Sequence, residues 1–384
     1  MSGSTRSYEM ARRLVLLGHQ VELITSTRGV YRCQSELVSI ESGINVHWIK
    51  NKYSNKMNFY SRIYSFVHFA LLSFWKASKL KGDLIFASST PLTVSIPGIL
   101  AARIKGIPFY FEVRDLWPDV PIAMGYLKNP IFRFLALKLE KFSYQNSEGI
   151  IALSEGMKDG IVKTGYPSSK IILIPNGADL DLFDYRKTDK ENVRLKYGFD
   201  KNDFIILYPG TFGKVNNLEY LVELAGMFRN GNSVKFVLVG DGKEKSKVIS
   251  MAQNLNLLDN IVFVFNQIPK KDIPDLFSMS DIVISTILPI KELEANSANK
   301  YFDALASGTC IVINHGGWQE KEVIEYNCGF RVSQNLEEAY KKLLEYIDNR
   351  PLVVQMGLNA RKLAEKKYSR DFLANEMALF FENY

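Results

Sequence analysis

The sequence predicts an α/β protein built from two doubly wound, parallel-sheet domains. Three observations carry that expectation. Apolar runs of strand length alternate with amphipathic helical stretches along the whole chain. The turns after those runs are rich in Gly, Pro, Asn and Asp. At 384 residues, the chain suffices for two domains that each bury a core. With 47% apolar and 23% charged residues, the composition is that of a folding chain rather than a disordered one.

In chain order, the helical period runs from Ser4 to Leu17 and stops at the turn Gly18-His19. Strands follow at Val21 to Thr25 and Asn45 to Ile49, then a long aromatic helix at Tyr60 to Lys79. Strand Leu84 to Ala87, helix Thr93 to Lys105, strand Phe109 to Val113, helix Ile131 to Gln145 and strand Gly149 to Leu153 complete a first domain, residues 1–172. The second domain, 173–367, reads as strands Ile171 to Ile174, Phe204 to Tyr208, Lys235 to Val239, Ile261 to Phe263, Ile282 to Ser285 and Cys310 to Asn314. Its helices are Asn217 to Phe228, Glu244 to Leu255, Ile273 to Met279, Lys300 to Ala306, Gln319 to Tyr326, Leu336 to Asn349 and Leu352 to Tyr368. A hinge is expected between Ile174 and Asp184, where Pro175, Asn176, Gly177 and three aspartates break the periodicity, and residues 368–384 are expected to return as a helix to the first domain. A right-handed crossover normally places a strand before its helix, so the helix from Ser4 implies that a first, central strand is missing from the first domain.

Three cysteines, Cys33, Cys310 and Cys328, lie far apart and suggest neither a disulfide framework nor a metal cluster, which favours a reducing cytoplasm. No signal segment is legible, and the apolar stretch Phe66 to Trp75 is too short to span a bilayer. The net charge of +7 is placed informatively. Lys50, Lys52, Lys56, Arg62, Lys76, Lys79 and Lys81 interleave with Tyr53, Phe59, Tyr60, Tyr64, Phe66, Phe69, Phe74 and Trp75. A second such stretch runs from Lys128 through Phe132, Arg133, Phe134, Lys138, Lys141 and Phe142. Both have the make-up of helices lying on an anionic membrane surface, and both also fit core-facing helices with solvated basic edges. The basic residues gather into no nucleic-acid reading motif, so no nucleic-acid partner is expected.

Candidate chemistry concentrates in the second half. Pro209-Gly210-Thr211-Phe212-Gly213-Lys214 joins a strand to a helix, so its amides suit a phosphate, with Lys214 as a point charge; a turn requiring positive φ explains the glycines equally. Gly240-Asp241-Gly242 and Phe265-Asn266-Gln267-Ile268-Pro269 end two further strands at the edge where open α/β sheets bind ligands, and taken alone the second reads equally as a plain strand-to-helix turn. In the run Asn296 to Gly308, Ser297 or Asn299 suits a helix cap, Lys300 sits beside the first-turn amides, and Asp303 offers a carboxylate able to accept two ribose hydroxyls. An ordinary capped helix reads the same way.

Five segments together resemble the retaining family-four glycosyltransferases of the GT-B class, closest to the capsule and O-antigen subgroup that includes fucosamine-type transferases. They are Ser2 to Glu9, Phe111-Glu112-Val113-Arg114-Asp115-Leu116-Trp117-Pro118-Asp119, Ile174 to Asp179, the turn Val239 to Gly242 and the Asp303 helix. The resemblance implies two Rossmann-like domains facing a cleft, with a UDP-sugar held mainly by the second domain. It implies an undecaprenyl-diphosphate-linked saccharide acceptor held by the first, and neither metal nor other cofactor. Asp303 then takes the place of the family's ribose-binding glutamate, Lys214 and Lys300 neutralise the diphosphate, and Gly3 joins a glycine-rich loop beside it. Asp115 and Arg114 fall where a histidine and its neighbour face the transferred sugar. Two positions depart from the pattern: Ala295 stands eight residues before Asp303, where a glutamate is usual, with Glu292 and Glu294 nearby, and Thr211 stands near the expected arginine. A nucleotide-sugar 2-epimerase of the same fold and a non-catalytic nucleotide-sugar binder are the competing readings.

Overall fold

The computed structural model describes residues 6–27, 38–53, 57–229 and 233–383. The chain forms two units. The first is Gly3–Pro175 together with Ala374–Tyr384, and the second contains Asn176–Leu373.

The first unit holds two sheets among its described residues. Strands β1 (Glu22–Ser26), β2 (Val38–Glu41) and β3 (Ile44–Ile49) form one sheet in the order β1-β3-β2, and β4 (Ile85–Ser88), β5 (Phe109–Val113), β6 (Gly149–Ala152) and β7 (Ile171–Leu173) form the other in that order. All pairs are parallel except β2 with β3. Strand β2 was not foreseen. It is made by a two-residue turn in which Ser42 and Gly43 both take positive φ, 51° and 80°, the hairpin geometry that matches strand twist. Strand β7, read with the second domain, is hydrogen-bonded to β6 instead and belongs to the first unit. The first helix occupies Arg6–Leu16, and the residues ahead of it lie outside the described ones.

Three helices of this unit pack side by side: Phe59–Lys79 against Ser95–Lys105, and that helix against Pro130–Gln145. Their outer faces are apolar to an unusual degree. Tyr60, Tyr64, Trp75, Ile104, Ile131 and Phe134 are all more than half exposed.

In the second unit, β8 (Phe204–Pro209), β9 (Val234–Val239), β10 (Val262–Phe265), β11 (Ile282–Ser285), β12 (Cys310–Ile313) and β13 (Gly329–Arg331) form one parallel sheet ordered β10-β9-β8-β11-β12-β13. Alternate residues of β8 feed opposite cores. Phe204, Ile206 and Tyr208 join one apolar cluster, and Ile205 and Leu207 the other, as a strand covered on both faces requires. The strand order reverses between β8 and β11, which puts a crevice at their carboxyl ends. The helix expected over Leu352 to Tyr368 is an α-helix over Arg350–Leu363 that widens into a π turn over Ala364–Tyr368. No helix among the described residues is long and apolar enough to cross a membrane.

Candidate functional site

The carboxyl edge of the second sheet gathers most of the residues singled out in the sequence. Loops leaving β8, β9 and β10 carry Gly210 to Lys214, Gly240 to Gly242 and Asn266 to Pro269, and the helix Asn299–Ala306 lies between β11 and β12. Parallel pairing throughout the sheet is what brings these segments to one edge.

The two glycine turns are locked together by backbone. Phe212 N donates to Asp241 O at 2.9 Å, and Glu244 N donates to Phe212 O at 2.9 Å. A Cβ on Gly240 would stand 1.9 Å from Gly210 O, and one on Gly242 2.3 Å from Phe212 O. Their glycines are therefore required by this close approach of loop to loop, whatever else the turn binds. Asp241 is exposed, with Oδ1 accepting from the Gly242 amide at 2.8 Å. Thr211 and Lys214 are exposed and Gly213 is half-buried at the start of a short turn, Lys214–Asn216. Ile268 is half-buried against the core on the loop after β10.

Lys300 crosses the switch point. Its Nζ donates to the Tyr208 hydroxyl at 3.1 Å and to Asn216 Oδ1 at 3.3 Å, and it stands 3.6 Å from where a Cβ on Gly210 would be. The side chain is buried, and burial without a carboxylate partner among the described residues pulls its ammonium down to about 7. An anion arriving at Gly210 would restore the charge.

The helix is not capped as expected. Ala298 occupies the N-cap and makes no side-chain bond to the first turn, and Asn299 is the first helical residue. Ser297 is engaged elsewhere: its Oγ accepts from the Asn176 amide at 3.2 Å and its carbonyl from Asn176 Nδ2 at 2.5 Å. Serine at that position satisfies the segment that opens the second unit, so the first-turn amides lack a side-chain cap.

One turn on, Asp303 is half-buried and its Oδ1 is sealed from solvent with no hydrogen-bond partner among the described residues. Burial raises its carboxyl to about 7, with Asp179 adding to the rise and Arg370 and Lys270 opposing it. Asp179 itself is matched by Arg370 at 2.6 Å and Lys270 at 3.1 Å. Other orphaned polar atoms lie nearby in the chain: Ser285 Oγ at the end of β11, Asn296 Oδ1, His315 Nε2 beyond β12, and both amide atoms of Gln319. Buried polar groups are nearly always paired, so among the described residues each of these atoms stands out as one that a bound group could complete. His315 is held neutral, its imidazole pushed down to about 4 by burial. Glu294 packs against Gly316 and Gly317, since a Cβ on Gly316 would lie 3.0 Å from its Oε1.

Sequence reasoning missed Lys245, whose Nζ donates to Gly240 O at 3.0 Å and Asn266 Oδ1 at 2.7 Å and ties two of the loops together. It also missed the buried pair Arg6 and Glu112 of the first unit, at 2.7 Å, with Arg6 donating further to the carbonyls of Ile174 and Pro175. Arg114 and Asp115 follow β5; Asp115 is exposed and accepts from Thr90 Oγ1 at 3.3 Å, and the Arg114 amide donates to Ser89 Oγ at 3.0 Å. Gly3 lies outside the described residues.

Comparison with known proteins also divides the chain in two, between residues 182 and 189. The family described as Glycosyltransferase Family 4 matches residues 3–182, and that described as Glycosyl transferases group 1 matches residues 189–363. The chain is 25% identical over 183 residues to N-acetyl-alpha-D-glucosaminyl L-malate synthase of Bacillus anthracis, covering 47% of this chain and 45% of the synthase. It is 25% identical over 303 residues to UDP-Gal:alpha-D-GlcNAc-diphosphoundecaprenol alpha-1,3-galactosyltransferase of Escherichia coli, covering 76% of this chain and 73% of that enzyme. The chain thus spans less than half the length of the first relative. Its fold superposes on sucrose-phosphate synthase from Thermosynechococcus elongatus with a TM-score of 0.83 at 15% identity, covering 99% of this chain and 93% of the other.

Proposed function

The chain belongs to the GT-B group 1/family 4 glycosyltransferase superfamily, and from that premise we propose that it moves a sugar from a UDP-sugar to a lipid-linked saccharide, with retention of configuration, during surface-polysaccharide synthesis. The sugar we assign is an N-acetylated hexosamine or deoxyhexosamine, and the acceptor an undecaprenyl-diphosphate-linked saccharide. The observation that carries the reading is the placement of Lys300 and Asp303 one helical turn apart beside the switch point. Among the described residues, one is a buried amine with no carboxylate partner and the other a carboxylate with an orphaned oxygen. A nucleoside diphosphate supplies what each lacks: phosphate oxygens for the amine, and ribose hydroxyls for the carboxylate.

In the reaction, the sugar–phosphate bond loosens as the acceptor hydroxyl attacks the same face, and charge builds on the leaving UDP. Lys300, Lys214, the uncapped amides after Ser297 and the Gly210 to Gly213 loop stabilise that charge electrostatically, and the departing phosphate takes the acceptor proton. Gly240, Asp241 and Gly242 support the loop, Ile268 and its neighbours border the base, and Asp115 with Arg114 orients the sugar or acceptor. Gly3 is assigned to the phosphate loop by the family resemblance.

The basic, apolar helices of the first unit favour work at the inner face of the cell membrane, held there peripherally. Lys79, beside the Trp75 ring, and Lys81 close one end of the exposed face, and Lys76 is half-buried on the side toward Glu22. The name of the Escherichia coli relative, whose acceptor is a diphosphoundecaprenol, points the same way.

Thermal unfolding with and without UDP tests the donor site. Saturating UDP at about 100 times its Kd should add about 2.7 kcal/mol, or roughly 5 to 10 °C for a domain of this size. A protein that melts cooperatively at an unchanged temperature would overturn the assignment.

A further inference from the structure

A cavity of about 640 Å³ opens in the first unit at the carboxyl ends of β1 and β3. Thr27 leaves β1 at its wall, Lys50 and Lys52 leave β3, and Ser61, Tyr64 and His68 come from the start of the helix Phe59–Lys79. No carboxylate lines it among the described residues, and no acidic residue sits in the first turn of the helix. Between the two lysines, Asn51 is buried and fixed. Its Nδ2 donates to Ser65 Oγ at 2.9 Å, and its Oδ1 lies 3.3 Å from His68 Nδ1. The cavity therefore has a rigid floor, two exposed cations and hydroxyls at its rim, the composition that receives phosphate oxygens.

From the mouth of this cavity an apolar stripe runs outward. Tyr60, Tyr64, Val67, Leu71 and Trp75 recur at intervals of four, three, four and four residues, which places them within an arc of about 80° over a length of about 22 Å. All five are more than half exposed. Lys79 closes the far end, its Nζ 5.8 Å from the Trp75 ring. Such a stripe normally faces a core, and here the core-facing side of the helix is the opposite one, packed on Ser95–Lys105.

We propose that the cavity and stripe together form a receptor for the headgroup of a lipid phosphate or diphosphate, with phosphate oxygens between Lys50 and Lys52 and the first isoprenoid or acyl carbons along Tyr60, Tyr64 and Val67. A soluble phosphate ester has no use for the stripe, and a neutral lipid has no use for the lysines. The inference rests on the proposed function only in taking this amphiphile to be the acceptor's lipid carrier.

The test uses the full chain and nanodiscs of phosphatidylcholine carrying a few mole per cent of undecaprenyl diphosphate, against discs carrying phosphatidylglycerol at matched charge. Lys50→Gln with Lys52→Gln should weaken binding to the diphosphate discs by about tenfold or more beyond any loss on the phosphatidylglycerol discs, because the diphosphate discs lose charge-assisted contacts as well as the diffuse surface attraction that both kinds of disc lose. Val67→Ser with Leu71→Ser, both outside the cavity lining, should weaken binding to the diphosphate discs and leave affinity for inorganic diphosphate as it was. Equal losses on both kinds of disc, no loss on either, or competition by inorganic diphosphate as strong as by the lipid would each overturn the proposal. The UDP-induced thermal shift is measured on the same variants. It reports on the second unit, so its retention beside a failed disc experiment sinks the headgroup site alone, and its absence in the parent chain sinks the donor site alone.

Discussion

Replacing Asp303 by Asn should make the protein more stable and a poorer binder of UDP. In the folded chain, burial raises this carboxyl from 3.8 to about 7. Between those values the folded state keeps a proton that the unfolded state has released, so stability falls as pH rises from about 4 to about 7 and stays at the lower level above it. The full shift corresponds to about 4 kcal/mol. Because part of the residue still meets solvent, about 2 kcal/mol is the expected penalty at pH 8. Asp303→Asn keeps the shape and removes the titration, so urea unfolding should give similar stabilities for parent and variant near pH 4 and a variant about 2 kcal/mol more stable at pH 8. Calorimetry at pH 8 should show the reverse trend for UDP. Loss of a charged acceptor costs about 1.5 to 3 kcal/mol, roughly 10- to 150-fold in Kd. A residue kept at the expense of stability is one kept for its ligand. Unchanged UDP affinity, or a variant less stable at pH 8, would refute the reasoning.

Lys300, held near 7, should take up a proton when a diphosphate binds, and Asp303 should release one. Calorimetry near pH 7 in buffers of different ionisation enthalpy should therefore show net uptake for Asp303→Asn and net release for Lys300→Met, and identical proton counts in the two variants would remove both assignments. Gly240→Ala should cost more than about 3 kcal/mol, because its methyl would enter the Gly210 carbonyl and backbone cannot rotate away; a melting temperature within a degree of the parent would mean the loops part easily. Changing Lys76, Lys79 and Lys81 to Gln should reduce co-sedimentation with anionic vesicles by about 1 kcal/mol per cation near the surface, and equal sedimentation would detach those lysines from any membrane role.

Much of the fold was legible because its signals are local. Continuous apolar runs need no partner to be recognised: Phe109–Val113 and Ile282–Ser285 fall where the apolar pattern puts them, since both are buried on both faces. Strand β2 was missed although Ser42-Gly43 between alternating residues is a hairpin signal; four residues of half-exposed strand carry little hydrophobic contrast. The assignment of β7 failed for a different reason. Three apolar residues say that a strand exists, and only pairing says to which sheet it belongs. At the candidate site, residue types were readable and their partners were not. Ser297 looks like a cap in sequence, yet its hydroxyl is claimed by Asn176, 121 positions away. Lys245 carried no motif, because a lysine bridging two loops is defined entirely by where those loops meet.

The return of Ala374–Tyr384 to the first unit constrains how the chain folds as it is made. Phe380 and Phe381 pack on Tyr110 at 5.6 and 5.0 Å, Phe381 on Phe86 at 5.4 Å, and Phe380 fills the space that Gly149 leaves open. If those rings are needed to close the first unit's core, that unit waits for residues made after the whole of Asn176–Leu373. Synthesis order and folding order should then be reversed: Asn176–Leu373 should become protease-resistant on a stalled ribosome while Gly3–Pro175 is still cleavable. A nascent chain whose earlier half resists protease before Phe380 has emerged would show that those rings only decorate a core already closed.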